Sequence, residues 1–545
     1  MAALEPTGRG VDGPVLVVVM DGVGIGSGED DDAVALARTP TLDRLAARAA
    51  TTQLRAHGTA VGLPSDGDMG NSEVGHNALG AGQVFDQGAK RVQLAIASGE
   101  IFEGAIWKET VARARDTTLH FIGLLSDGNV HSHQDHLHAM LGRCHAEDVA
   151  RVRVHALLDG RDVGERSALT YVDALEKELA AFRDAGRDYR VASGGGRMTT
   201  TMDRYEADWG MVERGWNAHV HGEAPRAFRS LRRAIEGLRD EDASVTDQFL
   251  PAFVITDDGK PVGPIRDGDA VVFFNFRGDR AIEISRAFTE PTLDAFDRGA
   301  RPDVLYAGMM QYDGDLQLPE RFLVTPPSIA GTLGEHLAAS GVTQFACSET
   351  QKFGHVTYFW NGNRTAPFDP GLETYREIRS DLVPFEQRPW MKAAEITDAT
   401  LEALKSGRFR HLRINYANGD MVGHTGHRDA TVLAVEAVDL QLARLLPVIE
   451  ATGGALIVTA DHGNADAMVE RDKKTGEMLR RTDGTPKPRT SHSLNPVPCH
   501  VWAPGRPLRL RAPDAPGLSS IAATVCDLMG YVAPEAFDPS LLDGS

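Results

Sequence analysis

Six residues are able to hold metal ions, five of them after short apolar runs and the sixth, His492, after a long polar loop. "GPVLVVVMDG" ends in Asp21, "RHLRINYANGDMVGHTGH" runs into Asp420 and His424, "GGALIVTADHGNAD" ends in Asp461 and His462, and "RTSHSLNPVPCHVWAPG" carries His492. Three carboxylates and three imidazoles without a thiolate suffice for two hard or borderline divalent ions. Oxygen-plus-imidazole ligation of this kind favours Mn²⁺ or Zn²⁺ over Ca²⁺. Singly, each residue has an ordinary role, since a strand-end Asp caps the next helix and a lone histidine is commonly a satisfied polar group. Asp420 and His424 would share a face if their segment is helical, whereas Gly419 and Gly423 favour a turn. The repetition of acid and histidine at successive strand ends is what gives the joint reading its weight.

A second population is of another chemistry. "LHFIGLLSDGNVHSH" leads to Asp127 and His131, "VRVHALLDGRD" to Arg161 and Asp162, "YRVASGGGRM" to Arg197, and "DAVVFFNFRGDR" to Arg277 and Arg280. Arg277 and Arg280 could present two guanidinium forks to one anion, or form a surface pair with local acids including Asp279. "ASGGGRM" lacks the lysine and hydroxyl of a P-loop, which leaves a glycine-rich turn presenting Arg197. "HSHQDHLH", from His131, has spacing for a metal site or for a helix start capped by Ser132 and Asp135. His131 is assigned to the anion-binding set, and His133, His136 and His138 to the surface. Lys352, in "SETQKFGHVTYFWNGN", is a surface lysine by default. "SDGDMGNSEVGHNALGAG", from Ser65, is poorly suited to a core, and on its own reads as a loop in which Asn71 or Ser72 caps a helix starting near Glu73.

These residues need a scaffold that gathers strand ends. Apolar runs alternate with Ala/Leu/Arg/Glu-rich stretches such as "TLDRLAARAA" and "SALTYVDALEKELAAFRDAG", which argues for α/β architecture with mainly parallel sheets. Ligands then collect outside the carboxyl ends of the strands. At 545 residues the chain exceeds the ~250–300 that one core serves, so two large domains are expected. The metal-type residues lie before about residue 87 and after about 327, and the arginine-rich set lies between. A continuous domain, 88–326, inserted into a discontinuous one, 1–87 with 327–545, fits that distribution. Crossings are expected near Phe85 and near Thr325, where a Pro-Pro pair stiffens the chain. The polar run from Val469 to Thr490 reads as an exposed, mobile loop.

Composition sets outer bounds on function. With 57 basic and 77 acidic residues the formal charge is −20, which disfavours nucleic acid or anionic membrane as partners and requires any anion to be met by a local basic cluster. Cys144, Cys347, Cys499 and Cys526 form no CxxC pair and suit small buried positions in a reducing compartment. "VLVVVM" is far short of the ~18 residues of a membrane span. A cytoplasmic location is expected.

Eight motifs in order, "DMGNSEVGHNALGAG", "SDGNVHSH", "LDGRD", "FFNFRGDR", "ETQKFGHVTYFWNG", "GDMVGHTGH", "TADHGNAD" and "SHSLNPVP", resemble the cofactor-independent (2,3-bisphosphoglycerate-independent) phosphoglycerate mutase family of the alkaline-phosphatase superfamily. The resemblance runs from about Val15 to Glu535. It implies an α/β fold in which a discontinuous alkaline-phosphatase-like metal domain receives an inserted α/β phosphotransferase domain. One metal would fall to Asp420, His424 and His492, the other to Asp21, Ser72, Asp461 and His462. Substrate contacts would be His131, Arg161, Asp162, Arg197, Arg204, Arg277, Arg280 and Lys352. Ser72 would be the nucleophile, with Lys352 beside it, exchanging 3-phosphoglycerate and 2-phosphoglycerate through a phosphoserine. The implied cofactors are two divalent ions, Mn²⁺ first with Mg²⁺, Co²⁺ or Zn²⁺ as alternatives, and no 2,3-bisphosphoglycerate; the implied assembly is a monomer. The sequence departs from the short bacterial form by one extra residue between Arg197 and Arg204, and by the long Val469–Thr490 run ahead of His492. A metal-dependent phosphohydrolase needs the same serine and metals but not the middle-domain arginines, and a non-catalytic metal or phosphate binder needs no Ser72.

Overall fold

The computed structural model describes residues 3–543 except 205, 314–315, 327–328, 473–474, 482 and 512–515. The chain divides into an outer unit, Met1–Gln87 with Ser328–Ser545, and an inserted unit, Gly88–Pro327.

"VLVVVM" at Val15–Met20 is apolar on both faces and wholly buried, as befits the interior of a parallel sheet. It sits fourth in a seven-stranded sheet of order Glu373–Ile378, Gln344–Glu349, His411–Tyr416, Val15–Met20, Ala455–Thr459, Val497–Trp502 and Ala50–Leu54. Its pairings with His411–Tyr416 and Ala455–Thr459 are both parallel, with Val19 opposite Asn415 and opposite Thr459. Three strands therefore end side by side, and Asp21, Asn415 and Asp461 gather at one edge. Pairing turns antiparallel only at Val497–Trp502 and Ala50–Leu54.

In the inserted unit the sheet runs Leu305–Gly308, Ala270–Phe273, Leu119–Leu125, Arg151–Leu158, Asp188–Gly196, Phe253–Asp257 and Arg226–Phe228, with Lys260–Pro261 hairpinned onto Phe253–Asp257. The first five are mutually parallel. Loops after Leu125, Leu158, Gly196 and Phe273 thus share an edge, and these are the loops that carry His131, Arg161, Arg197 and Arg277.

The Val469–Thr490 run is more ordered than its composition suggests. Antiparallel bridges join Val469 to Pro488, Arg471 to Met478 and Arg480 to Pro486, and the Arg471 guanidinium pairs with Asp31 and Glu29. Charge-assisted contacts and paired backbone hold a segment whose hydropathy signals none. Lys473, Lys474 and Thr482 lie outside the described residues. The four cysteines are all buried. No helix among the described residues is long and apolar enough to cross a membrane.

Candidate functional site

Asn71, extended at φ −150°, heads the helix Ser72–Ala81 by accepting from the Val74 N–H at 3.2 Å, so Ser72 is the first helical residue. Its Oγ donates to Asp21 Oδ1 at 3.2 Å, lies 3.0 Å from His462 Nε2, and accepts from Lys352 Nζ. Lys352, on the helix Thr350–Gly354, also donates to Asp21 Oδ1 at 2.7 Å and Asp420 Oδ2 at 2.8 Å. It is buried, which corrects the default surface reading of this lysine. Close packing brings the serine helix in: a side chain at Gly75 would place its Cβ 2.6 Å from the Asp461 carbonyl oxygen.

Asp420 lies within a short helix, Asn418–Gly423, capped by His424, so the helical alternative prevails over the turn. His424 Nε2 is 2.9 Å from Asp420 Oδ1, His492 Nε2 is 3.1 Å from the same oxygen, and the two Nε2 atoms are 3.0 Å apart. His424 Nδ1 faces the Thr490 carbonyl at 2.6 Å and His492 Nδ1 the Gly70 carbonyl at 2.7 Å, so each Nδ1 carries its ring's N–H. Two imidazole Nε2 atoms and a carboxylate oxygen then converge on one point. Such a set fits a bound cation.

The second acid group behaves alike. Burial alone would lower the His462 imidazole, but Asp461, Asp21 and Asp420 raise it to about 9. Burial would likewise raise Asp420 and Asp461; His424 and Lys352 hold the first well below the usual carboxylate range, and His462 and His76 the second. The buried acids thus draw positive charge, and both donor sets fit divalent ions. Among the described residues, two buried trios have donor atoms close enough for one ion, Asp420 with His462 and His492, and Asp21 with His76 and Asp461.

His76 is absent from the sequence reading. Its Nδ1–H donates to the Ser72 carbonyl at 2.8 Å and approaches Asp461 Oδ2 at 3.3 Å. Its Nε2 accepts from Asn415 Nδ2 at 3.2 Å, and that amide also donates to Asp21 Oδ2 at 2.7 Å. His76 and Asn415 therefore tie two acids into one orientation. Spacing one helical turn from Ser72 was the available signal for His76. Asn464, which donates to Asp420 Oδ1 at 3.2 Å, was likewise missed.

In the inserted unit the second population also assembles. Arg197 pairs with Asp159 at 2.9 Å and with Asp162, while Asp279 faces Arg277 at 3.0 Å, His131 at 3.5 Å and Arg204 at 3.6 Å. Arg280 donates to the Met202 carbonyl at 2.6 Å, and Arg161 is buried beside Met198. Asp279 is a cluster member and not a surface partner. Asp159, another strand-end acid, was missed although it follows its apolar run as Asp21 does. Burial and the guanidinium groups of Arg204, Arg197 and Arg161 push Arg280 well below its ordinary value. Burial with Arg197, Arg277, Arg280 and Arg204 does the same to His131. The cluster thus carries surplus positive charge away from water, a standing demand for an anion.

Three expectations are corrected here. Asp127 is exposed and accepts from the Tyr171 hydroxyl at 2.6 Å, outside the cluster. His136 is buried against Phe276 rather than at the surface. His133 caps the helix Gln134–Ala146 through its imidazole, since Ser132 turns away to the Leu124 carbonyl.

The sequence profile described as the metalloenzyme superfamily matches residues 13–533. A Leptospira interrogans protein named as a probable 2,3-bisphosphoglycerate-independent phosphoglycerate mutase is 56% identical over 533 residues, 97% of each chain. The Trypanosoma brucei brucei 2,3-bisphosphoglycerate-independent phosphoglycerate mutase is 53% identical over 536 residues, again 97% of each. A crystal structure of Leishmania mexicana phosphoglycerate mutase at low cobalt concentration superposes with a TM-score of 0.97 at 50% identity, over 99% of this chain and 100% of that one. The chain belongs to the metalloenzyme superfamily and, within it, to the 2,3-bisphosphoglycerate-independent phosphoglycerate mutases.

Proposed function

We propose that the chain interconverts 3-phosphoglycerate and 2-phosphoglycerate by moving the phosphoryl group onto Ser72 and back, with no 2,3-bisphosphoglycerate. The observation that carries this is the buried Ser72 Oγ held among Lys352, Asp21 and His462. Asp420, His424 and His492 would hold one divalent ion and Asp21, Ser72, Asp461 and His462 the other; when bound, such ions lower the pKa of a coordinated oxygen and offset phosphoryl charge. Mn²⁺ suits the mixed carboxylate and imidazole donors, with Mg²⁺, Co²⁺ and Zn²⁺ as alternatives.

Lys352 donates into Ser72 Oγ and so favours its alkoxide as it meets phosphorus. Position at the start of the helix Ser72–Ala81 then favours the dianionic phosphoserine, because the positive end of the helix dipole lies there. Arg161, Arg197, Arg204, Arg277 and Arg280, with Asp162 and His131, are assigned the carboxylate and hydroxyls of glycerate. Holding glycerate while it presents its other hydroxyl makes the reaction a mutase and not a hydrolase. Separate units for these two tasks, a metal-holding outer unit and a substrate-holding insert, follow from the same assignment.

The test is turnover of 3-phosphoglycerate to 2-phosphoglycerate by metal-stripped protein reloaded with Mn²⁺, with no 2,3-bisphosphoglycerate added. Turnover only after reloading supports the reading, and an absolute need for 2,3-bisphosphoglycerate overturns it.

A further inference from the structure

A file of polar side chains crosses the interior of the inserted sheet where apolar residues would be expected. His120 Nε2 meets Asp269 Oδ2 at 3.2 Å, and His120 Nδ1 meets His155 Nε2 at 3.0 Å. His155 Nδ1 meets Ser193 Oγ at 2.6 Å, Ser193 Oγ meets His219 Nδ1 at 2.7 Å, and His219 Nε2 meets Thr201 Oγ1 at 2.8 Å. His120, His155, Ser193, His219 and Thr201 are each 0% exposed and Asp269 is 5% exposed. A register shift between Val154 and His155 skips Ala192 and brings Ser193 opposite His155. The bulge is what aligns the file.

The carboxylate at one end sets the direction of every bond. Asp269 Oδ2 also accepts from the Arg266 N–H at 2.8 Å, so it is an acceptor and His120 must carry its proton on Nε2. His120 Nδ1 then accepts from His155 Nε2–H, and His155 Nδ1 accepts from the Ser193 hydroxyl. Ser193 Oγ accepts from His219 Nδ1–H, which leaves His219 Nε2 to accept from the Thr201 hydroxyl. Each ring needs one proton. Burial supports this by holding His120 and His155 below the usual histidine range and His219 down at about 3.

The file ends at a residue under constraint. Thr201 has φ +69°, a conformation costly for a β-branched side chain. Its N–H donates to the Met211 carbonyl at 2.8 Å, and Gly215 packs so closely that an added Cβ would come 2.0 Å from Thr201 Oγ1. The next residue, Met202, offers the carbonyl that receives Arg280, while Arg197 and Arg204 flank the same loop.

We propose that the chain Asp269–His120–His155–Ser193–His219–Thr201 is a positioning device that locks the strained Thr201 turn and so sets Arg280, Arg197 and Arg204 for the anionic substrate. This rests on the proposed function, in which those arginines hold glycerate. None of the six touches substrate, and each acts through the turn.

The experiment has two arms on the full chain. Long-range proton–nitrogen spectra of ¹⁵N-histidine protein at pH 7, assigned by single-histidine replacement, should show three neutral rings, with His120 and His155 protonated on Nε2 and His219 on Nδ1. Any other tautomer, or an imidazolium, overturns the chain whatever the enzyme does. In the second arm Thr201→Val, which strips the hydroxyl and leaves His219 unsatisfied, should raise KM for 3-phosphoglycerate roughly tenfold with a much smaller fall in kcat. Thr201→Ser should recover KM to within about twofold, since the hydroxyl returns. An unchanged KM in a folded Thr201→Val protein, or no recovery with serine, contradicts the proposal. If the unmodified protein does not turn over 3-phosphoglycerate the functional reading fails, and the tautomers still decide the chain.

Discussion

The Nε2 atoms of His424 and His492 face each other across 3.0 Å, with Asp420 Oδ1 within 3.1 Å of both. Their other nitrogens face the Thr490 and Gly70 carbonyls, so both Nε2 atoms are turned toward the same Asp420 oxygen. A divalent cation among the three atoms would be met by all of them at once.

Metal loading should therefore stabilise the fold as well as enable turnover. Chelated protein should melt below Mn²⁺-loaded protein, since a ligand at about 100 times its Kd contributes about 2.7 kcal/mol. His492→Ala should lower the bound metal found by elemental analysis and shrink the melting shift. Equal metal content in this variant and its parent would remove His492 from the ligand set.

Retention of glycerate should depend on the arginine cluster. Arg277→Ala and Asp162→Ala should each depress 2-phosphoglycerate formation more than phosphate release, because a charge-assisted contact of roughly 1.5–3 kcal/mol is lost from glycerate and not from the phosphoryl group. Water then competes for phospho-Ser72. The readout is the ratio of 2-phosphoglycerate to inorganic phosphate from 3-phosphoglycerate. An unchanged ratio in both variants would return the hydrolase reading to favour.

Strand-end acids such as Asp21 and Asp461 were legible because parallel pairing makes the residue after a buried apolar run a site position almost by geometry. Ser72 and Lys352 were not legible from their own surroundings, since each sits at or near a helix start, where serine and lysine are ordinary; the family resemblance supplied their roles. His76 and Asn415 act through other residues, and no pattern of types marks such support. Asn415 lies in a strand buried on both faces, so alternation could not single it out. His120, His155 and Ser193 are polar interruptions of apolar strands, visible as oddities. Their alignment depends on a bulge at Ala192 that sequence does not announce.

Glu283 gives a pH dependence of stability. Burial, with Asp203 adding, raises its carboxyl from 4.5 to about 8, so between those values the folded chain holds a proton that the unfolded chain has released. Its stabilising contribution is full below pH 4.5 and is lost as pH rises through about 8. Glu283→Gln, permanently neutral, should flatten the fall in urea midpoint between pH 5 and pH 8. Parallel profiles for variant and parent would show that Glu283 is ionised in the folded chain throughout.

The central claim is that Ser72 carries the phosphoryl group during turnover. Mn²⁺-loaded protein mixed with ³²P-labelled 3-phosphoglycerate and quenched in acid within milliseconds should yield one labelled peptide, with mass spectrometry placing phosphate on Ser72. Ser72→Ala should retain its metal at Asp420, His424 and His492 yet show neither label nor 2-phosphoglycerate. Label on another residue, or appreciable mutase turnover by Ser72→Ala, would contradict the account.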